Sequence, residues 1–177
     1  SERMWDALGR QIAFSTIILA IEIPLGIFVA LNMPKKGFWA STCLILMSLP
    51  LLIPWNVVGT IWQIFGRVDI GLLGYTLAAM GIDYNYTQDF YAAWATVIVM
   101  DVWHWTPFVT LTLLAGLLAI PREPIEAASV DGANTFQMYR FLIIPMLLPV
   151  ILITVFIRVM DSLRSMEDVY MLTNGGP

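Results

Sequence analysis

Residues Glu126 to Pro145 read EAASVDGANTFQMYRFLIIP, a polar segment set between long apolar runs. Local chemistry builds it. Pro124 suits the first turn of a helix, Glu126 places negative charge near that helix's positive N-terminal end, and Gly132 supplies a left-handed stop. Asn134 then caps a second helix with Gln137, three residues on, as its capping-box partner, and Pro145 marks entry into the next apolar run. The expected product is helix, glycine hinge, helix. Ala127 and Ala128 leave a low surface against which another protein can pack, with Glu126 placed to meet a basic residue across the contact. An ordinary capped loop is the plain alternative.

The surrounding sequence is that of a membrane protein. Of 177 residues, 59% are hydrophobic and 12% charged, and the mean hydropathy is +0.78. Soluble domains carry about 25% charged residues. Four apolar spans can be drawn, at Gln11 to Leu31, Cys43 to Phe65, Tyr91 to Leu118 and Phe141 to Met160. Each approaches the ~20 residues that cross ~30 Å of hydrocarbon, where the backbone must be helical. The fold class is therefore all-α, a polytopic transmembrane helical bundle read as one domain. Pro50, Pro54 and Pro107 fall inside spans and predict kinks in the second and third. The connection from Gly66 to Phe90, with Gly71, Gly74, Gly81, Asp83, Asn85 and Asp89, reads as a surface loop carrying one short amphipathic helix, open to an external partner.

Several chemistries are set aside. Cys43 is the sole cysteine, so neither an intrachain disulfide nor a multi-cysteine metal site is possible. The N-terminal SERMWDALGR lacks a secretory signal pattern, and the first apolar run reads as a membrane anchor. No G-x-x-x-x-G-K-[ST] phosphate cradle is present. No cofactor, metal or nucleic-acid partner is expected. Lys35, Lys36, Arg122 and Arg140 would lie on one side of the membrane and Arg3, Arg10 and Arg67 on the other, too even a division to orient the chain.

Ionisable and aromatic residues within the spans mark a pathway. Asp101, His104, Trp105 and Phe108 share one helical face at i, i+3, i+4 and i+7. An aromatic ring can pack on the apolar side of a pyranose while nearby polar groups take its hydroxyls. For Trp103 interfacial anchoring is the competing reading. Directly after the fourth span come Arg158, Asp161, Ser162, Arg164, Ser165, Glu167 and Asp168. Charges in hydrocarbon cost about 2.5 to 3.5 kcal/mol each on insertion scales, so they should pair: Arg158 with Asp161, and Arg164 with Glu167 or Asp168. Glu22, a lone acid in the first span, reads as a structural partner before a substrate contact.

Glu126-Ala127-Ala128, Gly132 and the run into Leu142-Ile143-Ile144-Pro145 resemble the cytoplasmic coupling loop of binding-protein-dependent ABC importer permeases. Asp101 to Phe108 (DVWHWTPF) and Tyr170 to Pro177 (YMLTNGGP) extend the resemblance to the carbohydrate, maltose-type branch. It implies a permease subunit that translocates a sugar, oligosaccharide or polyol across a bacterial or archaeal cytoplasmic membrane. Residues 1–177 would be an incomplete permease domain that begins after the first of six core helices and stops before the last, with its coupling loop at about 119–145. The resemblance places Glu126, Ala127, Ala128, Asp131 and Gly132 at the ATPase contact. It places the Lys35-Lys36 turn inside and the connection from Arg67 to Asp89 outside. It puts Trp105, Phe108, Ser162 and Ser165 in the substrate path, although the maltose type typically has asparagines at the two serine positions; Asp101, His104, Asp161 and Arg164 are added from their chemistry. Implied partners are separate ABC ATPase subunits, a second permease, an extracytoplasmic substrate-binding protein and membrane lipid. The competing class is a membrane-embedded enzyme or proton-coupled carrier using Asp101 and His104 as a relay.

Overall fold

The computed structural model describes residues 2–163, in which every regular element is helical. In chain order these are α1 (Glu2–Asn32), α2 (Phe38–Leu52), α3 (Trp55–Phe65), α4 (Leu72–Ala79), α5 (Phe90–Ala119), α6 (Arg122–Val130), α7 (Thr135–Met138) and α8 (Ile144–Ser162). Arg164, Ser165, Glu167, Asp168 and the C-terminal YMLTNGGP lie outside the described residues. Three helical segments are long and apolar enough to cross a membrane: Met4–Asn32, Phe90–Ala119 and Thr135–Ser162. Large apolar side chains such as Phe28, Leu46, Ile153 and Phe156 face outward. That pattern fits helices solvated by lipid.

The second expected span is not a kinked helix. It is broken into α2 and α3, which meet at 96°. Ile53 adopts an extended conformation (φ −80°, ψ 123°) ahead of Pro54. A residue preceding proline is disfavoured in the helical region by contact with the proline ring; here Ile53 takes the extended alternative, and Pro54 then opens α3. Pro50 is accommodated within α2, and α5 runs on through Pro107. In the long connection α4 forms, but its sequence LLGYTLAA is apolar on nearly every side, so the expected amphipathic helix is corrected to an apolar one.

Helices α1 and α5 run parallel. Phe14 packs edge-on against Trp94 at 6.1 Å, while Ala30 and Met33 share a core with Val109, Leu113 and Leu114. Gly26 makes this approach possible, because a Cβ there would collide with the side chain of Val109. Helix α8 returns antiparallel: Leu147 and Val150 pack at Gly116, and Arg158 reaches back to Asp101 and Glu22. The Lys35-Lys36 turn and Arg122 therefore lie beyond the same ends of α1 and α5, as the expected division of charge requires. Asp89 opens α5 by accepting from the backbone N–H groups of Tyr91 and Ala92.

The connection from α3 to α5 is held by side chains. The Tyr86 hydroxyl donates to the Gln63 carbonyl at 2.9 Å, and Tyr84 and Thr96 share a 2.6 Å hydrogen bond. Burial pushes the Tyr84 phenol above its ordinary range. At the surface Arg67 grips Asp69 through two hydrogen bonds of 2.9 and 2.6 Å, which hold that carboxyl below its usual value.

Candidate functional site

Two clusters emerge. The first joins α1, α5 and α8 around Arg158, whose side chain is fully buried. Its Nε donates to Glu22 Oε2 at 2.9 Å, and Nη2 donates both to Glu22 Oε1 at 3.0 Å and to Asp101 Oδ1 at 2.7 Å. Nη1 donates to Asp161 Oδ2 at 2.7 Å. A planar guanidinium suits this fork geometry, and an isolated charge in hydrocarbon would not be tolerated. The Arg158–Asp161 pair was expected from i, i+3 spacing, and Glu22 was expected to be a structural partner without its mate being named; the link to Asp101 was not expected. A lone acid, Glu22, and a lone base at the end of another span were the only sequence signal for their pairing.

The guanidinium also lies over the ring of Trp105, 4.6 Å from its centroid. This is cation–π distance. Around Trp105 stand His104 at 5.2 Å, Phe108 at 6.0 Å and Trp55 at 6.2 Å between ring centroids. Trp55 also meets His104 edge-on at 4.4 Å. Trp55 is the first residue of α3, so the break at Ile53-Pro54 is what delivers it to α5. Sequence reading missed Trp55 because the covalent path from the break gives no hint of which face it meets.

Asp101, His104, Trp105 and Phe108 do come together. Their exposure differs: Asp101 and His104 are buried, whereas Trp105 and Phe108 are half-buried and carry the accessible aromatic surface. Among the described residues Asp101 Oδ2 and His104 Nδ1 have no hydrogen-bond partner. Asp161 reaches the surface, with 38% of its side chain exposed. Ser162 is buried and its hydroxyl donates to the Val159 carbonyl at 2.9 Å, while the carbonyl of Ser162 accepts from Gln11 Nε2 at 2.6 Å.

The second cluster is the polar segment between α5 and α8. Helix α6 ends where Gly132 takes φ 79°, and the N–H of Ala133 closes back on the Ala128 carbonyl at 3.0 Å. That is the glycine stop expected from sequence. The capping box also forms: Asn134 Oδ1 accepts from Gln137 N and Gln137 Oε1 accepts from Asn134 N, each at 2.9 Å. A π-helical turn at Tyr139–Ile143 then leads into α8, with Ile144 N–H bonded to the Tyr139 carbonyl. Pro145 has no N–H to offer the Phe141 carbonyl, which favours the wider turn.

Glu126, Ala127, Asp131 and Gly132 are exposed and Ala128 is half-buried. An open concavity of about 510 Å³ lies between α6 and α7, with Ala128, Asp131, Gly132, Gln137 and Phe141 in its wall. The backbone is fixed by its own caps, while the side chains that would meet a partner remain uncovered.

Comparison with known proteins agrees with this architecture. The chain is 33% identical over its full length to a probable ABC transporter permease of Sinorhizobium fredii, covering 57% of that protein. It is 30% identical, again over its full length, to the trehalose/maltose transport system permease of Thermococcus litoralis, covering 60% of it. The chain thus spans under two thirds of these relatives. A crystal structure of a bacterial ABC transporter for the acidic polysaccharide alginate aligns with 98% of the chain and 62% of its own, at TM-score 0.85 and 23% identity, which establishes a shared fold. Residues 22–175 match the family described as binding-protein-dependent transport system inner membrane component, and this multi-pass membrane chain belongs to that family.

Proposed function

We propose that this chain is the core of a permease subunit of an ATP-driven ABC importer that carries a sugar, oligosaccharide or polyol across the cytoplasmic membrane. The observation that carries this reading is the α6–Gly132–α7 segment: a rigid, self-capped backbone whose Glu126, Ala127, Asp131 and Gly132 are uncovered. Such a segment can transmit a rigid-body movement only if another subunit grips it. With no phosphate cradle in the chain, that subunit is a separate ATPase, and the permease does no chemistry.

Residues 119–145 are accordingly assigned to coupling, with Glu126 to Ala128, Asp131 and Gly132 at the contact. A second permease completes the translocation path, and a substrate-binding protein delivers the cargo from outside. The half-buried Trp105 and Phe108, with Trp55 beside them, offer aromatic surface for a pyranose. Asp161, 38% exposed and bonded to the Arg158 that lies over Trp105, is assigned to the same path. The membrane relay through Asp101 and His104 is disfavoured, because Asp101 Oδ1 is already held by Arg158.

Two variants of the full-length permease test the coupling assignment. Gly132→Val forces a β-branched residue into the left-handed region, displacing Glu126 to Ala128, and Glu126→Lys reverses the contact charge. ATPase copurification and transport should fall in both while membrane insertion persists. Undiminished copurification and transport would defeat the reading.

A further inference from the structure

Helix α4 belongs to neither cluster, yet its sequence LLGYTLAA carries no charge and little polarity of any kind. One side of it is fixed to the protein. Leu73 packs against the core that holds Phe14, Trp62 and Met100. Gly71 and Gly74 seat the helix so closely on the end of α3 that a Cβ at either position would collide with the backbone there, at Ile64, Phe65 and Arg67.

The other side is Leu72, Tyr75, Thr76 and Ala79, at i, i+3, i+4 and i+7, and all four are exposed, Leu72 at 67% and Tyr75 at 65%. The Thr76 hydroxyl donates back to the carbonyls of Leu72 and Leu73 at 2.8 and 3.0 Å, so its donor is spent within the helix. On α3 itself Val57, Ile61 and Ile64 are exposed at i, i+4 and i+7, a lipid-facing stripe that leads to the turn on which α4 sits. At the same end of the bundle Trp5, near the start of α1, and Tyr91, near the start of α5, are exposed, which is the aromatic placement of a membrane–water boundary. Charges flank α4 without entering it: the exposed Arg67–Asp69 pair comes before and the exposed Asp83 after.

We propose that α4 docks on the lipid bilayer, with its Leu72-Tyr75-Thr76-Ala79 face sunk to the boundary between headgroups and acyl chains, on the membrane side opposite the α6–Gly132–α7 segment. The connection from α3 to α5 is then a membrane-bound element and not a loop held out to an external partner. A soluble partner that comes and goes would leave this face in water for part of each cycle, and a face so poor in polar groups offers it few directional bonds. The bilayer covers it permanently and continues the lipid contact of α3. Because α4 is braced on the backbone at the end of α3, its docking also fixes the depth of the helix that carries Trp55. None of this depends on which cargo is carried.

The test places one nitroxide at a time on the full-length permease, purified with its ATPase and reconstituted in vesicles of phosphatidylethanolamine and phosphatidylglycerol. Leu72→Cys and Tyr75→Cys are made in a background with Cys43 and any other cysteine replaced by serine. Asp83→Cys marks the aqueous side, and Ile153→Cys, exposed on α8, marks the bilayer interior. Collision with oxygen, which concentrates in the bilayer, is compared with collision with a water-soluble nickel chelate. At 72 and 75 the oxygen-to-nickel ratio should exceed that at 83 by about 3-fold or more and stay below that at 153, as for a helix at the headgroup boundary. A ratio at 72 and 75 equal to that at 83 puts α4 in water and overturns the proposal. Low collision with both reagents means that protein covers the face, whether a second permease, a binding protein or another part of the chain, and overturns it equally.

Discussion

The Arg158 cluster and the α6–Gly132–α7 segment lie toward opposite ends of α8 and solve opposite problems. In the cluster, three helices converge on Glu22, Asp101 and Arg158, whose side chains have no exposure, and Arg158 also bonds the part-exposed Asp161. In the segment, caps and a glycine stop order the backbone while the side chains of Glu126, Ala127 and Asp131 remain uncovered. Loss in the first place should be felt as instability of the bundle. Loss in the second should leave the bundle standing and remove a partner.

The largest effect should come from Arg158→Met. It strands the carboxylates of Glu22 and Asp101 in the interior, and breaking a buried ion pair from one side costs about 3 to 5 kcal/mol. Thermal unfolding of the detergent-solubilised permease should show a large fall in Tm, mostly recovered when Glu22→Met and Asp101→Leu are added. A single variant as stable as the parent would mean that the cluster does not tie the helices together. Gly132→Val comes next. A non-glycine residue in the left-handed region costs about 1 to 2 kcal/mol, so Tm should drop modestly while ATPase copurification is lost. If the two losses instead scale together, the segment is part of the bundle's stability and the contrast collapses.

Asn134→Ala removes one arm of the capping box, for about 1 kcal/mol. Its mark should be faster amide exchange at Thr135 to Gln137 with little change in Tm. The smallest effect is expected for Arg67→Ala. Its pair with Asp69 is fully exposed, and such pairs add little. Tm should not move, but the Asp69 carboxyl, now held low chiefly by its hydrogen bond to Arg67, should titrate at a higher pH when followed by NMR.

The segment was far more legible in the sequence than the cluster, and the reason is range. Pro124, Gly132, Asn134 and Gln137 act on neighbours within four residues, so their spacing alone states the structure. The Arg158–Asp161 bond obeys the same local rule. Arg158 and Glu22, by contrast, are 136 positions apart, and their meeting depends on α8 running antiparallel to two parallel helices. Hydropathy located the spans but could not tell a kink from a break at Pro50 and Pro54. The extended Ile53 decides it, and with it the delivery of Trp55 to His104. The match of Trp105 and Phe108 to a face was readable from periodicity; that Asp101 on the same face is committed to an arginine was not.

Site-directed crosslinking tests the central claim most directly. Cys43 is the sole cysteine of these 177 residues, so Cys43→Ser, with any cysteine elsewhere in the full-length permease also replaced, gives a clean background in which a single cysteine can be placed at Ala127, on the exposed face of α6. With a short bifunctional reagent in native membranes, position 127 should crosslink to the ATPase subunit, and the yield should change when ATP is bound. A control cysteine at Tyr75 on α4, beyond the other end of the bundle, should not. Absence of an ATPase adduct at 127 in a permease that still transports would contradict the account.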